Sequence, residues 1–178
     1  LRRNGRGTVP LLLTQGRSLL PTTLLWLVAG ATAAVSLWAL RSVVVQPGSD
    51  GYHHTLFAQV IAEQGMLPAT LAPLTSLLTF TYHFGYHVLV AVFNWMTGIS
   101  VIALTPIVAQ LLKAGMALAA AFLAEALGAR RSGSVVTAAV VGLICVFPAY
   151  YVNWGRNTQL TGLMLLAVLL GIIWLWCS

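Results

Sequence analysis

Long runs of apolar, mostly uncharged residues are the feature that most constrains this chain. A membrane-spanning helix needs about 20 such residues, and runs of suitable length cover about 18–40, 104–128, 134–151 and 160–177. Only 7% of the residues are charged, against about 25% in an ordinary soluble domain. This composition excludes a soluble domain, a disordered chain, a disulfide-stapled secreted domain and a nucleic-acid-binding protein. We therefore predict an all-α, polytopic membrane helical bundle with about four transmembrane helices.

The segment 41–100 between the first two spans differs from them, because it contains Pro47, Pro68 and Pro73 and two of the three acidic residues. Apolar residues recur at helical spacing over Tyr52–Gln64, which predicts a helix on the membrane surface. Ser49 or Asp50 is expected to cap its start and Gly65 to close its end. The stretch Tyr82–Trp95 is too short to span and predicts a second surface helix.

The positive charges predict the orientation of the spans. With both short helices on the surface, the positive-inside rule places the basic N-terminus 1–17 in the cytoplasm and the loops 41–100 and 152–159 outside. Six arginines are then inside and two, Arg41 and Arg156, are outside. We expect a multi-pass protein of the bacterial plasma membrane, with a membrane domain over 18–178. Because the chain begins at Leu1 and stops just after an apolar run, we also expect a fragment of a longer protein.

All four histidines (His53, His54, His83 and His87) fall in the first outer loop, together with Asp50 and Glu63. Asp50 stands just before the first surface helix, where a carboxylate can act as a general base, as a metal ligand or simply as a helix cap. His83 and His87 are four residues apart and share a face of a helix. That face suits a metal ion or an anionic phosphate, or an interfacial belt of aromatic and histidine side chains.

Two further cations are candidates for binding a phosphate. Lys113 lies inside the second span, where a charge lines a cavity, pairs with another group or snorkels to the surface. Arg156 lies in the second outer loop, beside Trp154. It suits a lipid-linked phosphate, or anchors the chain at the membrane interface.

These stretches resemble the C-type glycosyltransferases of membranes, which take sugars from polyprenyl phosphate or pyrophosphate carriers. The run Ser49-Asp50-Gly51-Tyr52-His53-His54 is similar to the Asp-x-Tyr-x-His type of motif in the first loop of the oligosaccharyltransferase catalytic subunit. Residues 83–93 occupy the place of the His-Pro-Pro-Leu stretch of the protein mannosyltransferases, without its prolines. Together with residues 153–161, they look most like a group of large, uncharacterised bacterial multi-spanning membrane proteins.

The resemblance implies a glycosyltransferase with an extracytoplasmic site and a polyprenyl-phosphate-linked sugar donor. Asp50 would be the catalytic or metal-binding carboxylate, and His83 and His87 stand where the family has a second acidic residue. A divalent cation would then be held by Asp50, His83 and His87. The four histidines would line the substrate site, and Arg156 or Lys113 would meet the carrier phosphate. The alternative is a non-catalytic membrane protein, such as a transporter or an assembly factor for lipid-linked saccharides.

Overall fold

The computed structural model describes residues 19–72 and 82–178, so the predicted basic N-terminus 1–17 lies outside the described residues. Within these ranges the chain is all α-helical and has no strand. Four helical segments are long and apolar enough to cross a membrane. They are α1 (Leu19–Ala39), α4 (Val101–Ala126), the segment Arg131–Asn153, and α7 (Asn157–Cys177). The predicted fold class, a polytopic membrane helical bundle, is confirmed.

Two shorter helices, α2 (Ser49–Gln64) and α3 (Gly85–Thr97), lie between α1 and α4 in the chain. With 16 and 13 residues, neither reaches the length of about 20 residues that a span needs. Helix α2 packs against α3, and both pack against α4. Gly65 closes α2 in the left-handed conformation, as predicted. The capping prediction at the other end is wrong, because Gly48 is the N-cap residue and Asp50 lies in the first helical turn.

Helix α4 is the centre of the bundle and contacts every other helix. Small buried residues along it, including Ala109, Ala114, Ala117 and Ala121, let the neighbouring helices approach closely. It begins at Val101, before Pro106, because Ser100 caps it by accepting a hydrogen bond from the backbone N–H of Ala103. Pro106 is the sixth residue of α4, so it removes one backbone hydrogen bond, the one to the carbonyl of Ile102. At 26 residues, α4 is about 39 Å long.

The third span is interrupted, which the sequence prediction missed. Helix α5 (Arg131–Ala139) continues as a π-helical segment (Val140–Ile144), and α6 (Val146–Asn153) follows. Cys145, between these two segments, and Phe147, the second residue of α6, have extended backbone conformations. The conformation of Phe147 follows from Pro148, because a proline disfavours the α conformation of the residue before it.

Helices α2 and α3, the loop after α1 and the N-terminal ends of α4 and α7 meet at one end of the bundle, which we call the loop-side end. The candidate site lies here.

Candidate functional site

Two loops that are distant in the chain interlock at the loop-side end. The side chains of Gln46 and Asn157 form a buried reciprocal amide pair, with N···O distances of 3.3 and 3.1 Å. The Gln46 amide also donates to the carbonyl of Val152 at 2.9 Å. Buried amides need such partners, so this pair fixes the loop before α2 against the start of α7.

Glycines allow the backbones of the two loops to touch. Gly48 has a φ of +86° and Gly155 a φ of +78°, a region that L-residues with side chains rarely adopt. A Cβ atom on Gly155 would lie 2.7 Å from the backbone nitrogen of Gly51. A Cβ atom on Gly48 would lie 2.9 Å from the carbonyl oxygen of Trp154. The turn at 153–156 therefore lies directly against the first turn of α2.

This contact brings Arg156 to Asp50. The Nε atom of Arg156 lies 3.2 Å from Oδ2 of Asp50, and each side chain is 36% exposed. The guanidinium also lies over the ring of Trp154, 4.4 Å from its centre. The pair is thus open to solvent while one of its members is anchored on an aromatic ring.

The ion pair borders a cavity of about 380 Å³, a volume within the range typical of small-molecule sites. Five of the predicted site residues line it: Asp50, His53, His54, His83 and Arg156. The imidazole of His83 is hydrogen-bonded to the hydroxyl of Thr158, with an Nε2···Oγ1 distance of 3.0 Å. The cavity therefore joins one carboxylate, one guanidinium and three imidazoles, drawn from three separate stretches of the chain.

His54 and His87 form a dyad beneath the cavity, with an Nδ1···Nε2 distance of 2.8 Å. Burial lowers the pKa of His54 to about 4, although the carbonyl of Gly155 and the charge of Asp50 oppose this. Burial and the neighbouring His54 lower the pKa of His87 to about 3. Both rings are therefore neutral at pH 7, and the dyad joins α2 to α3 without adding charge.

His87 and Lys113 do not line the cavity. His87 is fully buried, and its Nε2 atom is hydrogen-bonded to Nδ1 of His54. The Nζ atom of Lys113 instead lies 3.1 Å from Oγ of Ser36, between α4 and α1. Of the two cations considered for a carrier phosphate, the cavity contains only Arg156.

The residues predicted as metal ligands do not fit a metal centre. Asp50 pairs with Arg156, and His87 lies behind His54. In the part of the chain that the structure describes, no group of three His, Cys, Asp or Glu side chains could hold a metal ion. We derive no chemical step through a metal.

Sequence reasoning missed four cavity residues: Phe57, Tyr82, Thr158 and Gln159. Tyr82 stacks on His83, with ring centres 4.8 Å apart and an interplanar angle of 12°. Tyr82 precedes the candidate residue His83 in the sequence, and this position could have identified it as a site residue. Thr158 and Gln159 belong to the polar run that contains Arg156, and Phe57 is one helical turn from His53 and His54.

No protein-family model, curated protein or solved structure matches the chain.

Proposed function

We propose that the chain is part of an integral-membrane glycosyltransferase that uses a polyprenyl-phosphate-linked sugar, with its site on the extracytoplasmic face. The observation that carries this proposal is the cavity at the end of a membrane bundle, where Asp50 and Arg156 lie in contact and histidines line the wall. A lipid-linked donor has its phosphate at the membrane surface, and a site at the end of the spans meets it there.

The reaction we propose is a single displacement at the anomeric carbon, which requires Asp50 and Arg156 to separate from their 3.2 Å contact, because the base and the carrier phosphate lie on opposite sides of that carbon. The acceptor hydroxyl loses its proton to the carboxylate of Asp50 as its oxygen bonds to that carbon. The bond between this carbon and the phosphate oxygen breaks, and its electron pair leaves with the carrier phosphate. Arg156 stabilises the charge that develops there, because a guanidinium pairs well with phosphate oxygens.

The aromatic wall supports a sugar as the transferred group. Phe57 and Tyr82 supply apolar ring surface on one part of the cavity. His53, His83, Thr158 and Gln159 supply polar groups around it. Small-molecule sites combine apolar surface with a few polar groups that fix orientation in this way.

One observation favours the alternative, a transporter for lipid-linked saccharides. Transporters often contain discontinuous membrane helices, and the third span is broken at Cys145 and Phe147. Transporters also bind their substrates near mid-membrane, whereas this cavity is at the loop-side end. We therefore place the enzyme first.

The test uses the purified protein in liposomes with a radiolabelled polyprenyl-phosphate hexose and a membrane extract that supplies acceptors. We expect the label to leave the carrier, and we expect no transfer from the corresponding nucleotide-linked hexose. Movement of the intact labelled lipid across the bilayer without loss of its sugar would contradict the enzyme and support the transporter.

A further inference from the structure

Lys113 is a cation without an acidic partner in this chain. The sequence has three acidic residues, and all three lie in the described ranges. Asp50 pairs with Arg156, and Glu125 pairs with Arg131 at 3.2 Å. Glu63 accepts a hydrogen bond from Gln59. Among the described residues, no carboxylate is within ion-pair distance of the Lys113 ammonium.

The partner that Lys113 does have is a neutral hydroxyl. Its Nζ donates to Oγ of Ser36 at 3.1 Å across the contact between α4 and α1. A hydroxyl satisfies one of the three ammonium donors and does not balance the charge. A lysine near the membrane interface attracts the anionic phosphates of lipid headgroups. The arrangement therefore lacks an anion.

Features of α1 give the depth of this site. Ser36 stands three residues before the end of α1 at Ala39, which corresponds to about 4.5 Å along the axis. The exposed Trp38 and Arg41, whose guanidinium lies 3.9 Å from the centre of the Trp38 ring, follow directly. Tryptophan with a neighbouring basic residue is typical of the membrane interface. The ammonium of Lys113 therefore lies at the depth of lipid headgroups.

The surroundings also favour a lipid over a soluble ion. Val35 and Trp38 are 58% and 66% exposed on other faces of α1, at the same depth as the buried Ser36. These apolar surfaces suit contact with acyl chains. Ser36 is itself buried, and its hydroxyl keeps a proton to donate while it accepts from Lys113.

We propose that Lys113 and Ser36 bind a phosphate group at the loop-side end of the contact between α1 and α4, and that this phosphate belongs to the headgroup of a membrane lipid. The site is separate from the cavity and requires neither Asp50 nor a sugar. It goes beyond the proposed function and is independent of it.

The test measures lipid retained by the delipidated protein in detergent, by native mass spectrometry. The probes are phosphatidylglycerol, diacylglycerol with the same acyl chains, and inorganic phosphate. We expect phosphatidylglycerol to be retained over diacylglycerol, and Lys113→Gln to lower this retention about tenfold, as loss of a charge-assisted hydrogen bond does. Lys113→Arg should keep most of it. The matched control is Arg131→Gln, which removes a cation that has its own carboxylate partner.

Equal retention of phosphatidylglycerol by Lys113→Gln and the wild type would overturn the proposal, as would equal retention of diacylglycerol by the wild type. Displacement of the lipid by millimolar inorganic phosphate would contradict a lipid ligand and show that the site binds free phosphate. If Lys113→Gln does not fold, Ser36→Ala serves instead, and an unchanged retention in it would count against the site.

Discussion

The contacts of Arg156 give the clearest indication of the kind of ligand that the cavity binds. Arg156 is held by two contacts, the ring of Trp154 and the carboxylate of Asp50. In the proposed reaction, the carrier phosphate competes with Asp50 for the guanidinium and releases the carboxylate to act as a base. The ion pair balances the two charges that border the cavity.

Replacing Arg156 should therefore weaken binding of the carrier. We expect Arg156→Gln to reduce the affinity for a short-chain polyprenyl phosphate by about tenfold to a hundredfold, since hydrogen bonds to charged groups contribute about 1.5–3 kcal/mol. Isothermal titration calorimetry in detergent measures this. The matched control is Arg131→Gln, which also breaks an ion pair with a carboxylate but lies outside the cavity. An equal effect of both variants would count against a specific phosphate contact.

The His54–His87 dyad predicts how stability depends on pH. The pKa values of about 4 and about 3 are below the ordinary value of 6.5, so the unfolded chain binds more protons than the folded one between about pH 3 and 6.5. The two histidines therefore contribute their full amount to the free energy of unfolding above pH 6.5, and this contribution decreases as the pH is lowered through this window. We expect the melting temperature in detergent to fall between pH 7 and pH 4.5. The variant His54→Gln/His87→Gln should lose this part of the dependence, and an undiminished fall in it would contradict our assignment.

At the scale of elements, the contact between the turn at 153–156 and the start of α2 assembles the site. The sequence allowed two short helices in this loop and the grouping of Asp50 with His53, His54 and His83 to be predicted, because helical spacing and polar clustering are local patterns. It did not show that Gln46 pairs with Asn157 or that Gly155 lies on Gly51. Such contacts join residues about a hundred positions apart, and no local pattern encodes them.

This contact predicts a strong effect of a single methyl group. Gly155→Ala should destabilise the protein and separate Arg156 from Asp50, because the new Cβ would press on the backbone of Gly51 at a positive φ. We expect a clearly lower melting temperature and loss of polyprenyl phosphate binding. The control is Gly162→Ala in α7, which has open space around its Cβ position. There the change should be neutral or stabilising by up to about 1 kcal/mol. Similar melting temperatures for the two variants would show that the close approach does not matter.

The interrupted third span shows the limit of reading elements from apolar length alone. Residues 134–151 satisfied the length criterion, and the span is present. Pro148 was the signal for a break, since it restricts Phe147 to an extended backbone. The extent of the π-helical segment depends on packing against α1 and α4, which the sequence does not reveal.

At the scale of the whole molecule, hydropathy was sufficient to predict the number of candidate spans and the fold class. Every segment that crosses lipid must be apolar and must satisfy its own backbone hydrogen bonds, which a helix does. The orientation in the membrane stays a prediction. It places the cavity outside, on the basis of arginine counts. In the second outer loop, Asn157 is fully buried and does not suit labelling. Asn153 is exposed and replaces it.

We expect a cysteine at Asn153 to react with a membrane-impermeant maleimide added to intact cells. A cysteine at the exposed Ser132 should react only after the membrane is opened. Cys145 and Cys177 are both exposed in the structure and are first changed to alanine. Labelling of position 132 in intact cells would reverse the orientation and move the cavity to the cytoplasmic face.

We propose that Asp50 is the base of a glycosyl transfer. The most direct measurement compares the rates at which Asp50→Asn and Glu63→Gln release sugar from a labelled polyprenyl-phosphate hexose. Both positions are acids of α2, but Glu63 is exposed and lies outside the cavity. Loss of a general base costs about a hundredfold or more in rate. We therefore predict that Asp50→Asn loses at least that much while still inserting in the membrane, and that Glu63→Gln keeps the wild-type rate. An Asp50→Asn protein as active as Glu63→Gln would contradict the account.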